Sequence, residues 1–406
     1  MMLVPSLPPL PVGGSEMQAL KLGKALSEQG VIVRFIMPGK NDIKGEDQIF
    51  GMAVYRLNSW LNRIFGWISL QSKKKKVKNT RIEYNDKNEV TDQMTSRAGW
   101  PTVIYYNIFF YHSLFFLWWR RKQFDIIHSH TMEWSAIVAV RLGKLLNKLV
   151  IIKDSTMNGF QSLSRFPSGV KLQKMIAGSA HFVAMTEMIH QNLLKSGITA
   201  EKITKIPNGI VVSDSFGMDF GRELPSRVLF VGNLYQQPAK GVDILFHAWK
   251  IVHQSFPEVQ LEIVGDGDIN AYKEFVRGMG ISNSIQFWGK QNDLSHFHQS
   301  ASVFVLPSRR EGMSNALMEA MLYGIPCVAT DISGSRDLIT DKVNGILVPS
   351  ADSKALAAGI SYLLANPEIA MEMGRKGHEK IIEELDIRKI ADKYILLYSA
   401  LLKKFS

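Results

Sequence analysis

Short apolar runs alternate with helix-patterned segments along this 406-residue chain, and after a proline-glycine turn near its middle the alternation begins again. Residues 1–4 read as a short strand, followed by a proline-rich loop, Gly13-Gly14-Ser15-Glu16, and a helix with apolar Met17, Leu20, Leu22 and Leu26 that Gly30 closes. Residues 31–37, 124–128, 149–153 and 180–184 are further strands, with a helix at 187–195 after the last. Ile206-Pro207-Asn208-Gly209-Ile210 punctuates two apolar segments as a linker would. Beyond it, strands at 227–232, 259–264, 285–288, 303–306 and 327–329 alternate with helices, clearest at 242–256 and 269–279. Strands separated by helices on a repeating spacing require parallel sheets with right-handed crossovers. Such sheets gather ligands at the carboxyl ends of their strands.

The sharpest chemistry lies at one such end. Residues 311–319 read Glu-Gly-Met-Ser-Asn-Ala-Leu-Met-Glu, after an apolar run that stops at Pro307 and Ser308. Ala316, Leu317, Ala320 and Met321 then recur at helical spacing until Gly324 and Pro326. Glu311 and Glu319 therefore bracket a strand-to-helix turn, where free amides and the positive end of the helix dipole favour an anion. A carboxylate only accepts hydrogen bonds, so Glu319 suits the paired hydroxyls of a ribose and Glu311 those of a sugar. A phosphate between two hydroxyl-rich groups outlines a nucleotide sugar.

Three other places repeat the theme. Gly232-Asn233 and Lys240-Gly241 flank a second strand-to-helix connection, where Lys240 offers a compact positive charge to a diphosphate. Gly13 and Gly14 let backbone amides approach a diphosphate or a sugar. His130 follows a strand, and alternation puts it on one sheet face with His128, which reads more simply as a core residue. Gly265-Asp266-Gly267-Asp268 superficially resembles a metal-binding Asp-x-Asp motif, but it follows a strand and opens a helix, so it reads as a turn and helix cap. Residues 287–290 end another strand and are a weak candidate for a nucleobase contact.

The Gly13-Gly14-x-Glu16 start, the Pro207-Asn208-Gly209 linker and residues 311–319 together resemble the donor-binding signature of the retaining glycosyltransferases of family 4, the group of glycogen synthase and phosphatidylinositol mannosyltransferases. The resemblance covers nearly the whole chain, most strongly residues 203–349 and least residues 41–100. It implies an α/β protein of the GT-B fold, two doubly wound, Rossmann-like parallel-sheet domains facing across a cleft. The acceptor domain would be 1–208, the nucleotide-sugar domain 209–384, and residues 385–406 a helix crossing back to the first. It also implies an enzyme, a hexosyltransferase moving a sugar from a UDP- or GDP-sugar to a glycan or lipid-linked hydroxyl with anomeric configuration retained. The nucleotide sugar is a co-substrate, and no metal or other cofactor is implied.

By the same resemblance His130, Glu311 and Lys240 act on the transferred group. Gly13, Gly14, Asn233, Lys240, Gly312, Met313, Ser314, Asn315, Ala316, Leu317 and Glu319 bind the donor. The family usually carries an arginine where this chain has Asn233, which shifts diphosphate charge onto Lys240 and the helix amides. That departure keeps open a catalytically silent binding subunit, and a nucleotide-sugar epimerase of similar architecture is the other alternative.

Composition is that of a soluble globular chain, and the charge is uneven. Residues 1–206 hold 28 Lys and Arg against 14 Asp and Glu, and the remainder 20 against 23, so the first half is basic and the second slightly acidic. Without zinc-ligand spacing or an RNA-binding aromatic signature, anionic lipid suits the basic half better than nucleic acid. Trp60, Phe65 and Trp67 before Lys73–Lys76, and Trp118-Trp119-Arg120-Arg121-Lys122, join aromatic to basic residues as a membrane surface contact does. Residues 103–119 are apolar but carry Asn107, His112 and Ser113, so a buried or membrane-touching helix is expected rather than a span. Residues 71–99 look like a loop or insertion. Cys327 is the single cysteine and no signal peptide is apparent, so a cytoplasmic protein, peripheral on the membrane face, is expected.

Overall fold

A computed structural model describes residues 1–8, 13–39, 45–57, 100–132, 134–155, 159–166, 168–213, 227–235 and 238–405. The expected loop at 71–99 and the residues Trp60, Phe65, Trp67 and Lys73 to Lys76 lie outside these. The chain forms two compact units, Met1–Gly209 with Ile387–Ser406, and Ile210–Asp386.

The first unit is built on an eight-stranded sheet of β1 (Met2–Leu3), β2 (Arg34–Pro38), β3 (Gly45–Ile49), β4 (Met52–Leu57), β5 (Ile126–Ser129), β6 (Leu149–Asp154), β7 (His181–Ala184) and β8 (Ile203–Lys205), in the order β3-β4-β2-β1-β5-β6-β7-β8. Among the described residues every ladder of this sheet is parallel except β3 with β4. That hairpin has no counterpart in the sequence reading: Phe50 and Gly51 turn it with φ of 51° and 75°, and β3 is a polar, exposed edge. β1 lies between β2 and β5, so the strand order reverses there, and the carboxyl ends of β1 and β5 frame the switch point where ligands collect.

One face of this sheet is covered by residues from both ends of the chain. Leu20, Leu22 and Leu26 of the helix Gly14–Glu28 share a core with Leu149, Ile151 and Val183 and with Ile390, Tyr394 and Leu397 of the last helix, Ile387–Phe405. The last helix buries Ile387, Ile390, Ala391, Tyr394, Leu397 and Tyr398. At ~1.5–3 kcal/mol for each large apolar side chain, that packing is worth on the order of 10 kcal/mol before entropy is counted.

The second unit has six parallel strands: β9 (Arg227–Val231), β10 (Gln260–Val264), β11 (Ile285–Gly289), β12 (Val303–Leu306), β13 (Cys327–Thr330) and β14 (Ile346–Val348), ordered β11-β10-β9-β12-β13-β14. The central strands β9 and β12 are largely buried runs of Val, Leu and Phe, as a sheet covered on both faces requires, while the edge strand β11 is partly exposed. Trp249 is wholly buried and satisfies its indole by donating to Ser284 Oγ at 2.9 Å. The order reverses between β9 and β12, and those two strands lead into the segments singled out for chemistry.

Candidate functional site

In the second unit, the turn after β12 and the turn after β9 are fastened to each other. Arg309 N donates to Ala239 O at 2.8 Å, and the Arg309 guanidinium reaches Pro238 O at 2.9 Å and both carboxylate oxygens of Asp243 at 2.8 and 2.6 Å. Gly241 caps the helix Val242–Ser255 with φ of 64°, and a Cβ there would lie 2.0 Å from Pro307 O. Glycine is thus required twice, for its conformation and for the close approach. The result places Lys240 Nζ 2.6 Å from Glu311 Oε2, joining two side chains 71 residues apart, both only partly exposed. Ser308 Oγ donates to the same carboxylate at 3.3 Å.

The turn then enters the helix Asn315–Leu322, capped by Ser314, whose Oγ accepts from Leu317 N at 3.3 Å. Met313, Ser314 and Leu317 are buried; Gly312, Asn315, Ala316 and Glu319 are half-buried along the turn and first helical residues. The turn is held from behind as well. Thr330 Oγ1 donates to Ser308 O at 2.5 Å, and Gly334 packs so tightly that a Cβ there would lie 1.4 Å from Gly312 O. Gly334 escaped the sequence reading because its role is to leave room for a peptide 22 residues away.

Asn233 sits just past β9, exposed, and its Oδ1 accepts from Tyr235 N at 2.9 Å in its own turn. It is not fastened to Lys240 by any of these bonds. Asp268 accepts from Ala271 N at 3.2 Å and caps the helix Ile269–Gly278, while Gly265 approaches Gly232 O too closely for any Cβ. Trp288 lies half exposed near the end of β11.

The first unit holds Gly13, Gly14 and His130. Gly14 begins the helix Gly14–Glu28, but the Gly13 amide already donates to Glu16 Oε2 at 3.1 Å, and Ser15 Oγ does so at 2.9 Å. A carboxylate therefore stands where the sequence suggested a diphosphate or a sugar, and its negative charge favours the hydroxyl-bearing partner.

His130 follows β5 and is enclosed, 1% exposed, with its ring 4.3 Å from that of His128 in a stacked pair. His128 Nδ1 pairs with Tyr398 Oη at 2.8 Å, so the last helix fixes this ring. Lys153 in β6 is buried on the same sheet face and donates to Asn208 Oδ1 at 2.7 Å, tying the Pro-Asn-Gly segment to the sheet. Burial, reinforced by the neighbouring positive charge, pushes both imidazoles well below the usual histidine value, so they are neutral; burial also brings the Lys153 ammonium down to about 8. Among the described residues, both ring nitrogens of His130, His128 Nε2 and Tyr394 Oη have no hydrogen-bond partner. Lys153 also went unnoticed in the sequence, although a lysine ending the run Leu-Val-Ile-Ile is itself a signal.

Residues 12–214 match the family Glycosyltransferase Family 4, and residues 225–366 match Glycosyl transferases group 1. An uncharacterized glycosyltransferase of Haemophilus influenzae is 34% identical over 39% of this chain and 47% of its own length. The chain thus spans about half the length of that curated relative. A phosphatidyl-myo-inositol mannosyltransferase of Mycobacterium leprae is 27% identical over 71% of this chain and 76% of its own. Among solved structures, a sucrose-phosphate synthase of Thermosynechococcus elongatus superposes with a TM-score of 0.73 at 18% identity, covering 99% of both chains. Anabaena HepE in complex with UDP superposes with a TM-score of 0.68 at 16% identity, covering 98% of this chain and 99% of that one. The likeness in structure shows the GT-B fold, two parallel-sheet α/β domains.

Proposed function

Since this chain belongs to glycosyltransferase family 4, we propose that it moves a sugar from a nucleotide diphosphate sugar to an acceptor hydroxyl, with anomeric configuration retained, in polysaccharide or glycolipid assembly. The observation that carries the reading is the Lys240–Glu311 pair at the mouth of a capped helix. An ammonium has three donors, so Lys240 can keep Glu311 and still take a diphosphate oxygen. The amides at Asn315 and Ala316 and the helix dipole stabilise the same charge as the sugar–phosphate bond breaks.

Glu311 accepts from hydroxyls of the transferred sugar, and Glu319 from the ribose. In the first unit, Gly14 and Glu16 offer an amide and a carboxylate to hydroxyls, whereas His130 is enclosed against His128. No covalent intermediate is invoked: the leaving phosphate oxygen takes the acceptor proton on the face it departs from, and the protein positions the groups and stabilises charge. In this reading Lys240 and the amides balance the diphosphate without a metal. A UDP- or GDP-sugar is the donor and a glycan or lipid-linked hydroxyl the acceptor. UDP or UDP-sugar bound in similar structures supports the uridine choice.

One observation favours a second reading, a silent binding subunit: Asn233 brings no charge, and its carbonyl oxygen is engaged in its own turn. Incubation with a panel of UDP-, GDP- and ADP-sugars separates the two. Transfer or donor hydrolysis, with the product anomer read by NMR coupling constants, supports the enzyme. Nucleotide binding without turnover of any donor refutes it.

A further inference from the structure

The helix Trp100–Trp119 turns a stripe of aromatic side chains outward. Tyr111, Phe115, Trp118 and Trp119 are 61%, 69%, 47% and 67% exposed, while Phe109, Phe110, Ser113 and Leu117 on the other side are buried. At about 100° per residue the four exposed positions fall in one arc of about 100°. Exposed Arg121 and Lys122 follow the helix, and the Arg121 guanidinium lies 4.7 Å over the Trp118 ring. Arg120 turns the other way, over Phe116 at 4.0 Å and Tyr55 at 5.5 Å, and so belongs to the packed side.

The surroundings point to one occupant. The first unit carries 33 Lys and Arg against 15 Asp and Glu, net +18, and the second 15 against 22, net −7. A strongly basic unit attracts an anionic surface and opposes a second copy of itself on the same face. Tryptophan and tyrosine beside arginine and lysine suit the headgroup zone of a bilayer, where an apolar ring body and a wet cationic edge are both satisfied. Among the described residues no helix is long and apolar enough to cross a membrane, so the stripe can rest on a bilayer but not traverse it.

We propose that the Tyr111–Phe115–Trp118–Trp119 face docks on an anionic lipid bilayer, its indoles at headgroup depth and Arg121 and Lys122 on lipid phosphates. The inference is independent of the transfer reading, since it uses none of the donor-turn residues. Either stands if the other fails.

The test is sedimentation of the full chain with phosphatidylcholine vesicles, with and without phosphatidylglycerol. Binding is expected only with the anionic lipid, and it weakens as salt rises. Trp118→Ala/Trp119→Ala lowers the partition coefficient about tenfold and removes most tryptophan quenching by brominated lipid. Arg121→Gln/Lys122→Gln lowers it about tenfold at low salt and flattens the salt dependence. Phe115→Ser serves as a single-site check if the double variant does not fold, with about a threefold loss. Absence of binding to anionic vesicles overturns the proposal, as does undiminished binding by the variants. A wild-type dimer that the aromatic variant converts to monomer in sedimentation velocity also overturns it, by assigning the face to a second copy.

Discussion

Replacing Gly241 by alanine tests whether the two turns of the second unit must touch for the site to work. Gly280 supplies a matched control, since both glycines have positive φ, 64° and 74°, but a Cβ at Gly280 meets nothing within 4 Å. For Gly280→Ala the left-handed backbone costs about 1–2 kcal/mol, and the stiffer unfolded chain returns about 0.4–1 kcal/mol, leaving a net loss of about 1 kcal/mol. At Gly241 the new Cβ lies 2.0 Å from Pro307 O. Real contacts of this kind stay beyond 3.0 Å, so the backbone must open by about 1 Å. Overpacking of that size adds about 1–3 kcal/mol, for a total near 2–4 kcal/mol.

In a unit of 177 residues, each kcal/mol lowers the melting temperature by about 2–4 °C. Gly280→Ala should therefore drop it by about 3 °C and Gly241→Ala by about 4–16 °C, read by scanning calorimetry. The functional contrast is sharper. Opening the turns parts Lys240 from Glu311, and a misplacement of about 1 Å costs on the order of 100-fold in transfer rate. Gly280→Ala leaves transfer and nucleotide binding unchanged. Equal behaviour of the two variants in stability and in nucleotide-dependent thermal shift would refute the coupling of the turns.

Four further outcomes are expected. Glu319→Ala removes most of the thermal shift produced by UDP, and an unchanged shift contradicts its assignment to the ribose. Asn233→Arg adds a cation beside the diphosphate and raises UDP affinity about tenfold, roughly 1.4 kcal/mol, by calorimetric titration; no gain would show that the position does not face the phosphates. His128 and His130 are held neutral in the fold while the unfolded chain takes up protons near the ordinary histidine value, so the first unit loses stability as pH falls through about 6.5. Each contributes up to about 1.4 kcal/mol per pH unit, and His130→Gln should shallow the slope in urea titrations. Truncation before Ile387 withdraws packing worth on the order of 10 kcal/mol, as much as a typical domain's whole stability, so the first unit should lose its cooperative melt.

The sheets were legible because buried parallel strands leave apolar runs in the sequence, and glycine and proline mark where they stop. Residues 303–306 and 227–231 could hardly be read otherwise. The β3–β4 hairpin was not legible: its turn is Phe50-Gly51 rather than Asn-Gly, and β3 is too polar to alternate. The helix Trp100–Trp119 was visible as an apolar stretch, but such uniform apolarity conceals which side faces out. At the donor turn the residues were legible and their assembly was not. The Lys240–Glu311 pair, Gly241 against Pro307 O, and Gly334 against Gly312 O all depend on backbone segments meeting across the sheet's end, and no local pattern encodes such meetings.

That assembly also redistributes the electrostatic work. The sequence offered four groups for a diphosphate: the Gly13–Gly14 amides, Asn233, Lys240 and the amides behind Glu311. The Gly13 amide is held by Glu16, and Asn233 Oδ1 is engaged by Tyr235 N, which leaves a neutral amide group where a cation would act. Lys240 and the Asn315–Leu322 helix start remain, and Lys240 is oriented by the Glu311 carboxylate, the group we propose for the transferred sugar. Removing Glu311 therefore frees Lys240 to move as well as removing a sugar contact, so Glu311→Gln should weaken binding of UDP, which has no hexose. The 2.6 Å bond depends on the two turns staying together, and the Arg309 guanidinium on both Asp243 oxygens is the brace that keeps them so.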